Sequence, residues 1–172
     1  MTIREPRGLP RRGPEAEKRP AGPQASSLMA LIDAIAKGEP AKASRMLAAS
    51  PDLAREAVRV GATRQASSAF FYEQINHYVY AGDTALHVAA AAHQPDILSE
   101  LIASGADPRA KNRRGAEPLH YAADGAPGSP AWSPSGQAAV IERLIKAGAD
   151  PGAADKSGVL PLHRAVRTRG AK

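Results

Sequence analysis

Three short stretches of this chain align with one another without gaps, and that periodicity restricts the fold more than any other feature. Gly82-Asp83-Thr84-Ala85-Leu86-His87, Gly115-Ala116-Glu117-Pro118-Leu119-His120 and Gly158-Val159-Leu160-Pro161-Leu162-His163 share glycine, leucine and histidine at the same places. A second signature keeps phase with the first, Gly105-Ala106-Asp107-Pro108 and then Gly148-Ala149-Asp150-Pro151. Each follows an amphipathic stretch, Ile97-Leu98-Leu101-Ile102 or Val140-Ile141-Leu144-Ile145, whose spacing places the apolar residues on one helical stripe. The starts lie 33 and then 43 residues apart, while His87 to Gly105 spans 18 residues and His120 to Gly148 spans 28. The insertion therefore falls between the two helices of one unit. A chain that is self-similar at this period is a row of supersecondary units, each burying its apolar face against its neighbours.

Each unit reads as a turn, a helix, a short connection, a second helix and a glycine stop, and in this the chain resembles the ankyrin-repeat family, in the style of a small bacterial ankyrin protein. That family has a Thr-Pro-Leu-His-like start to its first helix and a Gly-Ala-Asp-like end to its second. The resemblance covers Gly82 to about Arg169 well and Leu28 to Leu53 loosely. It implies an all-α solenoid of stacked helix-turn-helix units with short β-hairpin fingers. The structural motif falls on Gly82, Thr84, Leu86 and His87; on Gly115, Pro118, Leu119 and His120; on Gly158, Pro161, Leu162 and His163; and on the stops Gly105 and Gly148. For the three histidines it implies a structural role, bonding neighbouring backbone at the start of the inner helix. The chain departs from the family where Glu117 and Leu160 stand in place of threonine and Ala85 in place of proline, so the helix caps are expected to differ between units.

Composition agrees with closely packed helices. Hydrophobic residues make up 43% of the chain but aromatics only 4%, so Ala, Leu, Ile and Val must supply the core. There is no cysteine, which excludes disulfides, thiolate metal sites and a cysteine nucleophile, and suits a reducing cytoplasm. Neither a signal-peptide apolar run nor a stretch of membrane-spanning length is present, so a cytoplasmic chain without membrane association is expected.

Residues 1–26 combine Arg4, Arg7, Arg11, Arg12, Lys18 and Arg19 with three glutamates and five prolines, which makes this segment a disordered basic tail carrying half of the chain's net charge of +6. Two basic pairs, Arg11-Arg12 and Lys18-Arg19, also permit a targeting or nucleic-acid-contacting arm. Ser27 reads as an N-cap, with Leu28, Leu31, Ile32 and Ile35 on one stripe and a stop near Gly38. A second helix follows over 41–49, with Met46 and Leu47 facing inward. The expected organisation is a degenerate capping unit over 27–54, an aromatic-containing linker over 55–81, a repeat over 82–114, a repeat with the insertion over 115–157 and an incomplete repeat over 158–172. The last stretch is expected to be either a truncation or an apolar end covered by a partner.

No residue pattern points to catalysis. Most of the aspartates flank glycine or proline at turns, where they bond their own backbone, and no nucleophile elbow, phosphate loop or zinc-protease helix is present. The chain is therefore read as a non-enzyme without a cofactor. Repeat-equivalent histidines are spread along a stack rather than converging, and His77 and His93 have no ligand spacing, so no metal site is expected.

Three segments qualify as binding surfaces. Arg109, Lys111, Arg113 and Arg114 crowd one finger, either as a solvated tip or as a patch for an acidic partner. Phe70, Phe71, Tyr72, Tyr78 and Tyr80 crowd eleven residues, either covering the N-terminal end of the stack or leaving Phe71, Tyr78 and Tyr80 exposed as anchors. Trp132 sits in the insertion among Gly, Pro and Ser, docked on the chain or contacting a partner. The reading that joins these is a protein-interaction module or scaffold binding an acidic protein segment. Its alternatives are nucleic-acid or other polyanion binding through the tail and finger, for which no recognition helix is present, and a truncated copy of a longer repeat protein.

Overall fold

The computed structural model describes residues 23–127 and 132–169, so the basic tail up to residue 22 and part of the insertion lie outside the described residues. Among the described residues seven helices follow one another: α1 (Pro23–Ala36), α2 (Pro40–Ala49), α3 (Ala85–Ala91), α4 (Pro95–Ala103), α5 (Pro118–Ala123), α6 (Pro134–Lys146) and α7 (Pro161–Arg169). The first begins at Pro23, four residues before the expected N-cap at Ser27, so residues 23–26 belong to a helix rather than to the tail. Proline is at home in a first turn, where its missing N–H has no intrahelical partner to lose.

Odd-numbered helices form an inner row, α1 on α3 on α5 on α7, and even-numbered helices an outer row, α2 on α4 on α6. The inner row can pack closely because its residues are small. All seven residues of α3, Ala-Leu-His-Val-Ala-Ala-Ala, are buried, as are all six of α5. The outer helices are one-sided, with Ile97, Leu98 and Leu101 of α4 and Val140 and Leu144 of α6 turned to the core. Leu28, Leu31, Ile32 and Ile35 close the core from α1.

Successive units are tied by their fingers, which close as tight turns. Asn112 Oδ1 accepts from the N–H groups of Arg114 and Ala116, and Asp155 Oδ1 accepts from those of Ser157 and Val159 in the same way. Arg113 N–H donates to the Ala81 carbonyl at 2.8 Å and Lys156 N–H to the Arg114 carbonyl at 2.9 Å, so each finger leans on the one before. Gly82 and Gly115 allow this approach. Both have positive φ, +87° and +77°, and a Cβ there would meet the next finger at 2.7 Å from Asn112 Cα and 2.9 Å from Lys156 N.

The stretch between α2 and α3 forms an enlarged finger. Val58 exchanges hydrogen bonds with Gly82 and Asp83, and Ala62 N–H donates to the Val79 carbonyl. The aromatic segment is thereby folded back as the tip, with a two-residue antiparallel pair, β1 (Phe71–Tyr72) and β2 (His77–Tyr78). The ladder directs it across the inner helices: the Tyr72 hydroxyl donates to Asp33 Oδ1 of α1 at 2.6 Å, and the His77 ring lies 4.0 Å from that of Tyr121 in α5.

Candidate functional site

A groove of about 1050 Å³ runs along the inner face of the helices, from Lys37 and Gly38 after α1 to Arg164 and Arg167 on α7. One wall is the aromatic finger, with Ile75, His77, Tyr78 and Tyr80. Opposite it the insertion contributes Gly125, Ala126 and Trp132.

The floor is a polar network on Tyr121, which follows the second repeat histidine. Its hydroxyl donates to Asp83 Oδ2 at 2.9 Å, and Asn112 Nδ2 donates to both Asp83 Oδ1 and the Tyr121 oxygen at 2.9 Å. Asp83 also accepts from the Tyr80 N–H at 2.7 Å and is fully buried. Burial, with Asp83 alongside, pushes the Tyr121 hydroxyl well above its ordinary pKa and keeps its proton in place. The Tyr121 ring is lined by His77, by His87 at 5.2 Å edge-on and by the Arg164 guanidinium at 5.8 Å.

Further along, Asp124 gathers three partners: Arg164 at 2.9 Å, Arg167 at 3.3 Å and His77 at 3.5 Å. Burial alone would raise its pKa, but His77 and Arg164 outweigh burial and hold the carboxyl below its usual range. Asp155 is likewise held low against burial by the Val159 and Ser157 N–H groups and by Arg164. Cations and acids therefore alternate along the groove.

The repeat histidines bridge units. His87 Nδ1 accepts from the Thr84 N–H, and its Nε2 donates to the Ala116 carbonyl at 3.1 Å; His120 does the same between the Glu117 N–H and the Val159 carbonyl at 3.0 Å. Desolvation lowers the pKa of both rings, which suits neutral tautomers carrying the proton on Nε2. His163 Nδ1 accepts from the Leu160 N–H, but the ring is exposed. His93, buried at a positive φ of 51°, ties the end of α3 to the Ala122 carbonyl.

The four finger cations do not form one free patch. Arg109 lies 3.8 Å from Asp150, and Lys111 lies 3.7 Å from the buried Glu117. Arg113 and Arg114 turn the other way and stack on Tyr80, at 5.4 and 5.2 Å, with Arg114 also donating to its hydroxyl at 3.2 Å. The tight turn separates the pairs, and only Arg114 of the four lines the groove. Among the aromatics, Phe70 and Tyr72 are buried, Tyr80 is half-buried and Tyr78 is 37% exposed, its ring 4.7 Å from Phe71. Trp132 is half-buried and donates through Nε1 to Gln137 Oε1, while Gln137 Nε2 donates to the Ala122 and Ala123 carbonyls at the end of α5. Trp132 is thus docked on α6 and still faces the groove.

Sequence reading missed Asn112, Tyr121, Asp124, Arg164 and Arg167 as groove residues. A usable signal was present, since Tyr121 and Arg164 immediately follow repeat histidines, where α3 has Val88.

Residues 31–129 match the family described as Ankyrin repeats (3 copies), more than half of the chain, and residues 114–156 match the single Ankyrin repeat. The chain belongs to the ankyrin-repeat family. Among curated relatives of this ankyrin-repeat protein, mouse NF-kappa-B inhibitor delta is 45% identical over 58 residues, 33% of this chain and 18% of that protein. Rat mitochondrial disaggregase is 41% identical over 56 residues, 32% of this chain and 8% of that protein. The matched stretch thus spans a small part of either relative, and the likeness is one of repeats. Ankyrin repeats as a class are protein-interaction modules and typically non-enzymatic. No helix among the described residues of this ankyrin-repeat protein is long and apolar enough to cross a membrane.

Proposed function

We propose that this chain is a non-catalytic protein-interaction module that holds an acidic segment of a protein partner against its groove and finger tips. The observation that carries this reading is the groove itself, whose lining presents Tyr78, Tyr80 and Trp132 beside Arg114 and Arg167. Aromatic and arginine side chains are the residues that most often anchor interfaces. Arg109 and Lys111, whose partners are weak at 3.8 and 3.7 Å, extend the basic surface on the other side of the finger. The polyanion reading fits less well, because Asp124 and Asp155 interrupt the cations where a phosphate backbone would need a continuous track.

The test is a pull-down from source-cell lysate with partners identified by mass spectrometry, comparing the full chain with Arg113→Ala/Arg114→Ala and with Arg109→Ala/Lys111→Ala. Circular dichroism checks that all three are folded. A specific protein held by the parent chain and lost with the groove-side pair supports the reading. Retention of the same protein by both variants removes the finger from the site, and enrichment of nucleic acid alone refutes the proposal. Trp132 is the chain's single tryptophan, so a change in its emission on adding the purified partner locates the contact at the groove.

A further inference from the structure

We propose that the outer face of the aromatic finger is a second binding site, which takes an arginine side chain of a protein partner beside Phe71, Tyr78 and Glu73. The site goes beyond the groove reading and asks nothing of the groove's cations.

Strand pairing builds the site. Side chains alternate across a ladder, so β1 and β2 put Tyr72 and His77 on one face and Phe71 and Tyr78 on the other. The first pair faces the stack, where Tyr72 bonds Asp33 and His77 lies on Tyr121. Phe71 and Tyr78 are left on the far side, directly opposite each other in the ladder, with ring centroids 4.7 Å apart and planes tilted by 48°. Two short 3-10 turns wall the pair in. Ser68–Phe70 leads into β1, and Glu73–Ile75 joins β1 to β2 through Asn76, whose left-handed φ of 49° closes the connection. Between them lies a hollow of about 470 Å³ lined by Ser67, Ser68, Phe71, Glu73, Gln74 and Tyr78. Ser67, Ser68 and Phe71 take no part in the groove, while Glu73, Gln74 and Tyr78 form the rim between the two.

The lining selects a cation. Glu73 is its only charged side chain, is exposed, and among the described residues belongs to no ion pair. Ser67, Ser68 and Gln74 add oxygen acceptors, and the faces of both rings carry the negative side of the aromatic quadrupole. An anion would be repelled by Glu73 and by the ring faces, and a purely apolar side chain would leave the carboxylate without a partner.

The finger itself shows which cation suits such rings. Arg113 and Arg114 lie over Tyr80 at 5.4 and 5.2 Å, and the Tyr80 ring is 6.3 Å from that of Tyr78. Both guanidiniums are taken up by Tyr80, and among the described residues no cation lies over Phe71 or Tyr78. A guanidinium is planar and always charged, and it can lie on a ring while its N–H edge donates to a carboxylate. An ammonium is more strongly hydrated and has no flat face to stack.

The experiment uses the full chain and three probes, N-acetyl-arginine amide, N-acetyl-lysine amide and N-acetyl-citrulline amide. Citrulline has the shape of arginine without its charge. Binding is read by NMR from the ring resonances of Phe71 and Tyr78, with the Trp132 indole resonance reporting on the groove in the same titration. The arginine probe is expected to shift both rings saturably, to leave Trp132 in place, and to bind more tightly than lysine and citrulline. Glu73→Gln, at an exposed position, removes the charge, and Phe71→Leu keeps an apolar side chain without a ring face. Each should keep the circular dichroism spectrum and weaken the arginine probe on the order of two- to fivefold.

No saturable shift of either ring, lysine or citrulline binding as tightly as arginine, or indifference to both substitutions overturns the proposal. A shift of Trp132 alone assigns the arginine to the groove and overturns it as well. Binding that appears only in Arg64→Ala makes the chain's own Arg64, exposed on the same finger, the occupant, with the same consequence. None of these outcomes touches the pull-down with the finger cations, so the groove reading stands or falls by its own test.

Discussion

The Tyr121 hydroxyl donates to Asp83 Oδ2 at 2.9 Å, joining residues 38 positions apart in two different units. Asp83 is fully buried, and its other bonds come from Asn112 and the Tyr80 N–H, so one carboxylate binds together the aromatic finger, the next finger and α5. Tyr121→Phe keeps the ring but leaves Asp83 short of a donor in a place water does not reach. A loss of about 1–3 kcal/mol is expected, measured as a lower urea midpoint with an unchanged slope. No loss would mean that Asn112 and the Tyr80 N–H satisfy the carboxylate without the hydroxyl.

Glu117 occupies the place that Thr84 holds in the preceding unit. Thr84 Oγ1 lies 3.1 Å from His87 Nδ1, whereas the Glu117 carboxylate is fully buried, with only the His120 N–H and, at 3.7 Å, the Lys111 ammonium beside it. Glu117→Thr is expected to stabilise the chain by roughly 1 kcal/mol at neutral pH.

The same substitution has a pH signature. Burial raises the Glu117 pKa above its ordinary 4.5, with Lys111 and Arg109 only partly offsetting it. As pH rises past 4.5 the unfolded chain releases this proton while the folded chain keeps it, so native stability falls until the folded pKa is passed and is level above it. The advantage of Glu117→Thr should therefore grow with pH across that window. Thermal melts of both chains from pH 4 to pH 8 check it, and an advantage that is constant with pH contradicts it.

Acid should also weaken the fold through its histidines. Burial lowers the pKa of His87, His93 and His120 below 6.5, so as pH falls below that value the unfolded chain takes up protons that the folded chain refuses. Their contribution is complete above pH 6.5 and is lost as pH drops towards the folded pKa values. His87→Gln should lower stability at pH 7 and flatten its pH dependence below 6.5, as read from urea midpoints.

Gly82 and Gly158 separate backbone strain from packing. Both have positive φ, but an added Cβ meets Asn112 Cα at 2.7 Å in the first and open space in the second. Gly158→Ala should cost only about 1 kcal/mol, and Gly82→Ala should cost more, because the next finger must move. Equal losses would mean that the fingers yield freely.

The stack was legible in the chain because each unit repeats a local pattern: an apolar stripe at helical spacing, a glycine where φ must be positive, a histidine three residues after the N-cap of the inner helix. Such signals lie within one turn of the residue that carries them, so Leu28 to Ile35, His87 and Gly115 could be read without knowing their neighbours. The start of α1 at Pro23 escaped this reading, since Ser27 offered a local cap that the chain does not need.

The groove was not legible in the same way. Which cations of 109–114 face it depends on the turn that sends Arg113 and Arg114 over Tyr80 and leaves Arg109 and Lys111 beside Asp150 and Glu117. That the aromatic segment crosses from α1 to α5 depends on a ladder between Val58 and Asp83, residues 25 positions apart. The amino-acid sequence by itself determined the repeating unit, because periodicity and turn chemistry act over a few residues. Only the tertiary structure decided the groove, because the pairing of Tyr121 with Asp83 and of Asp124 with Arg164 arises where stacked units meet, and nothing local encodes which side chains will meet there.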